Sequence, residues 1–136
     1  MFSRSTVFSS RTMTFSLLLL WMAVIFSFSM LSGKATVGAP PLLYFVVRKG
    51  AHVVEYAVLM FLSFRYFRLC FSQESFRRVI VLAATFSLMY AATDELHQFF
   101  VPFRGAKMTA VGIDGLGILL ATVLLFFWYK NKNRSQ

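Results

Sequence analysis

Four long apolar runs alternate with short segments that are basic or rich in glycine and proline. The first, Thr14 to Leu31, has eighteen residues and no charge. At about 1.5 Å per residue it just spans a hydrocarbon core of roughly 30 Å. It predicts a transmembrane helix over about 14–32, behind a basic N-terminal segment, 1–13. A secretory signal peptide is the competing reading: a basic start, an apolar middle and small residues near Ala35. The run is long for that, and further apolar helices follow, so a retained helix is expected.

Residues 32–48 connect it to the next run, with Gly33, Gly38, Pro40 and Pro41 as helix breakers. Leu42 to Val47 is apolar, and either lies in the interface or begins the second helix early. That second helix is expected over about 50–69. A loop at 70–78 follows, flanked by Arg65, Arg68, Arg77 and Arg78. The third helix covers about 79–100 and stops before Pro102. A tight loop, 101–109, carries Arg104, Gly105 and Lys107. The fourth helix runs over about 110–129, and a basic tail, 130–136, closes the chain. No internal repeat or second domain is present. The expected fold is all-α: a polytopic membrane protein with four transmembrane helices over 14–129.

Composition agrees. Hydrophobic residues make up 58% of the chain and charged residues 14%, against about a quarter charged in soluble domains. The net charge of +9 raises nucleic acid as a partner. However, the basic residues flank apolar runs instead of lining one helix face, and this is the topogenic use of positive charge. No nucleic acid is therefore expected. Nine Lys and Arg fall on the side of the termini and the 65–78 region, and five on the other side. Positive-inside then puts both termini in the cytoplasm. Trp128 and Tyr129 fit an inner-interface anchor, whereas Trp21 falls away from an interface. A single cysteine, Cys70, rules out an intrachain disulfide.

The chemistry concentrates in Asp94-Glu95-Leu96-His97-Gln98, at the end of the third apolar run. A charged side chain deep in a bilayer costs between about 2.5 and more than about 10 kcal/mol, so ionisable residues there mark function by default. Lys49, His52, Glu55 and Tyr56 fall within an arc of about 120° on the second helix. Asp94, Glu95, His97 and Gln98 span about 160° on the third. Asp114 lies in the first two turns of the fourth. The topology brings these groups to one side of the membrane. That side holds four of the five acids and both histidines, with Glu74 alone elsewhere.

Two readings compete. In one, Lys49 and Arg104 neutralise Glu55, Asp94, Glu95 or Asp114 and pin the helices together, as polar groups in membrane bundles do. In the other, the cluster is a working site. Asp114, near a helix N-terminus, is favoured by the helix dipole. Asp94 and Glu95 lie towards a C-terminus, where the dipole disfavours anions; that pair is the strongest functional candidate. Candidate acid–base residues are His52, Glu55, Asp94 and Glu95. Candidate ligand-binding residues are Lys49, Tyr56, His97, Gln98, Arg104 and Asp114. Arg104, beside Gly105, suits a phosphate or carboxylate. No recognised metal spacing is present, so no metal site is assigned and no cofactor is indicated. Gly112, Gly115 and Gly117 read as small residues that let the fourth helix pack closely.

Three segments together resemble the VanZ-like family: Lys49-Gly-Ala-His52-Val-Val-Glu55-Tyr56-Ala-Val-Leu59, Asp94-Glu95-Leu-His-Gln98-Phe-Phe-Val-Pro102-Phe-Arg104, and Ile113-Asp114-Gly-Leu-Gly117. The resemblance covers roughly residues 45–125. It implies a small multi-pass protein of the bacterial plasma membrane, in a family named for a protein associated with low-level teicoplanin resistance. Its signature residues here are Lys49, His52, Glu55, Tyr56, Asp94, Glu95, Gln98, Arg104 and Asp114. It supplies no established reaction. The chain departs from the pattern twice. Phe103 stands where the family usually has glycine before the loop arginine. Ala110 stands where it usually has a further aspartate, four residues before the last one.

Three functions are then open. The protein engages a lipid-linked cell-wall intermediate, or keeps a glycopeptide from it, as a cell-envelope binding protein surrounded by membrane lipids. Alternatively it is a membrane-embedded hydrolase or transferase acting on a lipid phosphate, with a divalent cation held through oxygen. Or it is a proton-coupled carrier, which at this size requires a homo-oligomer.

Overall fold

The computed structural model describes residues 4–30, 41–101 and 108–134. They form four helices: α1, Arg4–Ser29; α2, Pro41–Cys70; α3, Phe76–Phe99; α4, Met108–Arg134. The all-α expectation holds, but the helices extend past the expected bounds. α1 begins ten residues before Thr14. One reason is Arg11, whose Nε donates to the Leu69 carbonyl at 2.8 Å and so satisfies one of the orphan acceptors at the end of α2. α2 begins at Pro41, inside the expected connection; proline has a backbone angle already suited to a first helical turn. α4 continues into the basic tail, where Lys and Arg complement the negative end of the helix dipole.

The ends of the helices set the topology. Arg11 near the start of α1 meets Leu69 near the end of α2. Ser29 at the end of α1 meets Asp94 near the end of α3. His52 early in α2 meets Asp114 early in α4. The bundle is therefore up-down-up-down. α2 and α3 pack on each other and both touch α1 and α4, while α1 and α4 do not approach each other among the described residues. α2 and α3 are thus the short diagonal, with α1 and α4 on opposite flanks.

Among the described residues three segments are long and apolar enough to cross a membrane: Ser9–Ser29, Phe76–Phe99 and Thr109–Arg134. α2 falls short by hydropathy because Arg48, Lys49, His52 and Glu55 crowd one end and Arg65 and Arg68 the other. Its thirty residues reach about 45 Å. Since α1 and α3 run parallel, the chain must return between them, and α2 is the return.

The inward face of each helix is marked by size and polarity. On α1 the buried positions are Thr14, Leu18, Ile25 and Ser29, with Trp21 and Met22 half-buried between them. This is a stripe of three- and four-residue steps. Ser63, Ser87, Ala83 and Ala91 are buried on α2 and α3. Large apolar residues such as Leu20, Val81, Met89 and Leu124 point outward, as lipid allows. Small inward residues are what permit close helix contact when lipid removes the hydrophobic drive for association.

The closest approach is at Gly117. A Cβ there would collide with the carbonyl oxygen of Val53 and lie 3.1 Å from the Ala57 nitrogen. Gly112 would meet nothing within 4 Å, and Gly115 only Leu88 at 4.0 Å. Of the three glycines, Gly117 alone is required by the α2–α4 crossing. The bundle end away from the acids is closed by aromatic rings. Phe76 stacks on Tyr129 at 4.1 Å, and its edge meets Phe64 at 5.4 Å.

Candidate functional site

α1 is fastened to its neighbours by two bonds from consecutive positions. Trp21 Nε1 donates to the Glu55 carbonyl of α2 at 2.9 Å. The Tyr90 hydroxyl of α3 donates to the Met22 carbonyl at 2.6 Å. Trp21 is thus an interhelical bolt. Two turns further on, the same register delivers Ser29 to Asp94.

On that flank the Ser29 hydroxyl donates to Asp94 Oδ2 at 2.6 Å. Gln98, one turn after Asp94, donates from Nε2 to the same oxygen at 2.8 Å and to Ser29 Oγ at 3.2 Å. All three side chains are buried. Asp94 Oδ1 is also buried but has no hydrogen-bond partner among the described residues.

On the opposite flank His52 Nδ1 lies 3.1 Å from Asp114 Oδ1 and 4.0 Å from Glu55 Oε2. Asp114 is 1% exposed. The 3.1 Å contact is electrostatic and lacks an aligned N–H···O bond, so both Asp114 oxygens remain open acceptors among the described residues. Tyr56 joins the flanks. It is fully buried, and its hydroxyl lies within hydrogen-bonding reach of Asp94, with Asp114 and Tyr90 as electrostatic neighbours, although no bond to a described residue is well aligned.

The site therefore draws on all four helices. Of the residues expected from the sequence, His52, Tyr56, Asp94, Gln98 and Asp114 are brought together, with Glu55 at the edge. Glu95 is buried next to Asp94 on α3. His97 turns aside: its ring packs on Phe26 of α1, centroids 4.4 Å apart. Lys49 is half-buried and forms no ion pair with Asp94 or Asp114. Arg104 and Phe103 lie outside the described residues. Ala110 is buried one turn before Asp114, so this chain has a methyl group on the face that carries Asp114.

Among the described residues no lysine or arginine pairs with Asp94 or Asp114; His52 is the one cation-forming neighbour. Also among the described residues, no group of three or more His, Cys, Asp or Glu side chains is arranged to hold a metal ion. What the arrangement offers is a buried set of acceptors, Asp94 Oδ1 and both Asp114 oxygens, beside one hydroxyl and one imidazole.

Sequence reading missed Ser29, the Asp94 partner contributed by α1. Its only signal is that a small polar residue falls on the inward stripe of an otherwise apolar helix.

The VanZ/LLP1 family model matches residues 3–129, which includes α1 and Ser29 as well as the three polar segments. No match was found among curated proteins or among solved structures. With the match covering nearly the whole chain, and a helical bundle of membrane-spanning length behind it, this protein belongs to the VanZ/LLP1 family.

Proposed function

We propose that the protein binds the polar head of a lipid-linked cell-envelope intermediate in the outer leaflet of the bacterial plasma membrane, and thereby lowers sensitivity to glycopeptides such as teicoplanin. The observation that carries this reading is the set of open acceptors on Asp94 and Asp114, buried and without Lys or Arg among the described residues. Orphaned buried acceptors destabilise a fold by about 1–3 kcal/mol each. A site that keeps several of them is built for a ligand that donates hydrogen bonds, such as the hydroxyls and amides of a sugar–peptide head group. His52 donates in return, while Lys49 and Arg104 hold anionic groups of the same ligand. Basic flanks at the opposite end of the bundle support an outward-facing site.

Binding of a purified lipid-linked disaccharide-peptide to the detergent-solubilised protein tests this. Arg104→Ala is expected to weaken binding at least about tenfold, as loss of a charge-assisted contact does. Asp94→Asn is expected to weaken it by about fivefold to tenfold, the size of one hydrogen bond. Wild-type protein that binds no such lipid, or variants that bind equally well, would overturn the proposal.

One observation favours a second reading. His52 beside Asp114 resembles a base held by an orienting carboxylate. On a lipid phosphate, His52 would take the proton of a water attacking phosphorus and return it to the lipid oxygen that leaves as the old P–O bond breaks. Release of phosphate by wild type, lost in His52→Gln with folding intact, would replace binding by hydrolysis.

A further inference from the structure

The other end of the bundle holds a groove of about 490 Å³ between the start of α3 and the end of α4. Its lining changes character along its length. Phe126, Lys130 and Arg134 follow one another at four-residue steps on a single face of α4. Phe76 and Arg77 face them from α3, and Tyr129 stacks on Phe76 at 4.1 Å to form an aromatic wall. The bundle side is thus aromatic and the outer side basic. Phe126 is 47% exposed, on a face that otherwise meets lipid.

The basic residues of the groove are unspent. Glu74 is the only acid of the chain at this end. It is taken by Arg78 at 2.9 Å, while Arg68 holds its carbonyl at 2.6 Å. Among the described residues Arg77, Lys130 and Arg134 have no acidic partner. Lys132 is placed differently, 5.3 Å over the Trp128 ring. The positive end of the α3 dipole opens into the same groove beside its N-cap, Ser75, and adds to the attraction for an anion. Three unpaired cations, an apolar wall and a position where two membrane-spanning segments end match one kind of molecule, an amphiphile with an anionic head.

We propose that this groove binds an anionic phospholipid, with its phosphate held by Arg77, Lys130 and Arg134 and an acyl chain laid along Phe126. Basic pockets between transmembrane helices recognise such head groups through the same combination. The inference is independent of the function proposed for the acidic end.

The test uses the full-length protein in detergent, with phosphatidylglycerol or phosphatidylcholine added. Thermal unfolding and the lipid retained in native mass spectrometry are both read. Wild type is expected to retain one phosphatidylglycerol in preference to phosphatidylcholine and to melt higher in its presence. Each basic contact is worth about fivefold in affinity, the equivalent of about 1 kcal/mol. R77Q/K130Q/R134Q should therefore lose at least about tenfold. R65Q/K132Q, which removes two charges from the same end outside the groove and leaves the Arg78–Glu74 pair intact, should keep the preference. Equal retention of the two lipids by wild type would overturn the proposal. So would an unchanged preference in the groove variant, or an equal loss in the control, which would mark a diffuse charge effect. Stabilisation by glycerol 3-phosphate as large as that by the lipid would show a soluble-phosphate site instead. The single variants R77Q and K130Q alter exposed residues only, and they decide the question if the triple variant fails to fold.

Discussion

At Asp94 two neutral donors, Ser29 and Gln98, converge on one carboxylate oxygen and leave the other open. Ser29→Ala removes one donor to a buried carboxylate and is expected to cost about 1.5–3 kcal/mol of stability. In an Asp94→Asn background the same change should cost about 1 kcal/mol or less, because the bond is then between neutral groups. Equal costs in both backgrounds, measured by thermal unfolding, would show that Ser29 does not act through Asp94. The residue scale also shows what the sequence can and cannot disclose. Asp94, His52 and Asp114 are legible because ionisable groups in apolar runs are expensive. Ser29 is not, because a serine in a membrane helix can satisfy itself on its own backbone. Ser27, two residues earlier, does so, donating to the Ala23 carbonyl at 2.7 Å. Which serine turns inward is decided by packing, and packing is not written in residue type.

Among the elements, the α2–α4 crossing positions His52 against Asp114. Gly117 sets that distance. Gly117→Ala places a methyl group on the Val53 carbonyl, and overpacking of this kind is expected to cost about 1–3 kcal/mol. Gly112→Ala meets open space and should be neutral or stabilising by up to about 1 kcal/mol, since alanine is the better helix former. Melting temperatures of the two variants check the contrast, and an equal loss at both positions would refute the assigned crossing. Helix existence was readable from the apolar runs, while helix orientation was not. A helix that faces lipid on one side and protein on the other is apolar all round, so the α1 stripe from Thr14 to Ser29 stands out only once its neighbours are known. α1 starts earlier than expected where Arg11 reaches over to α2, while the early start of α2 at Pro41 is one of the two readings the sequence left open.

For the whole molecule, the up-down-up-down arrangement puts both termini on one side and the acidic site on the other. From the charge asymmetry we propose that the termini are cytoplasmic. Reporter fusions after residue 136 and before residue 1 should both read cytoplasmic, and an external reading at either end would refute this orientation. The molecule has an acidic, acceptor-rich end and a basic, aromatic end, with α2 carrying polar groups towards both. That polarity was visible in the sequence as the gathering of four acids away from the arginine-rich loop. The assembly of the outer site from both flanks, with Tyr56 between them, was not, because it depends on α2 and α3 forming the short diagonal.

The most direct test of the central claim, that the outer cluster is kept for work and not for stability, is Asp94→Asn, read twice. The asparagine oxygen still accepts from Ser29 and Gln98 while the carboxylate charge is gone. Purified variant and wild type are compared by thermal unfolding, and cells expressing each at matched level by teicoplanin susceptibility. The variant is expected to be at least as stable as wild type and to have lost its protective effect. A variant that unfolds or fails to accumulate, or one that protects as well as wild type, would contradict it.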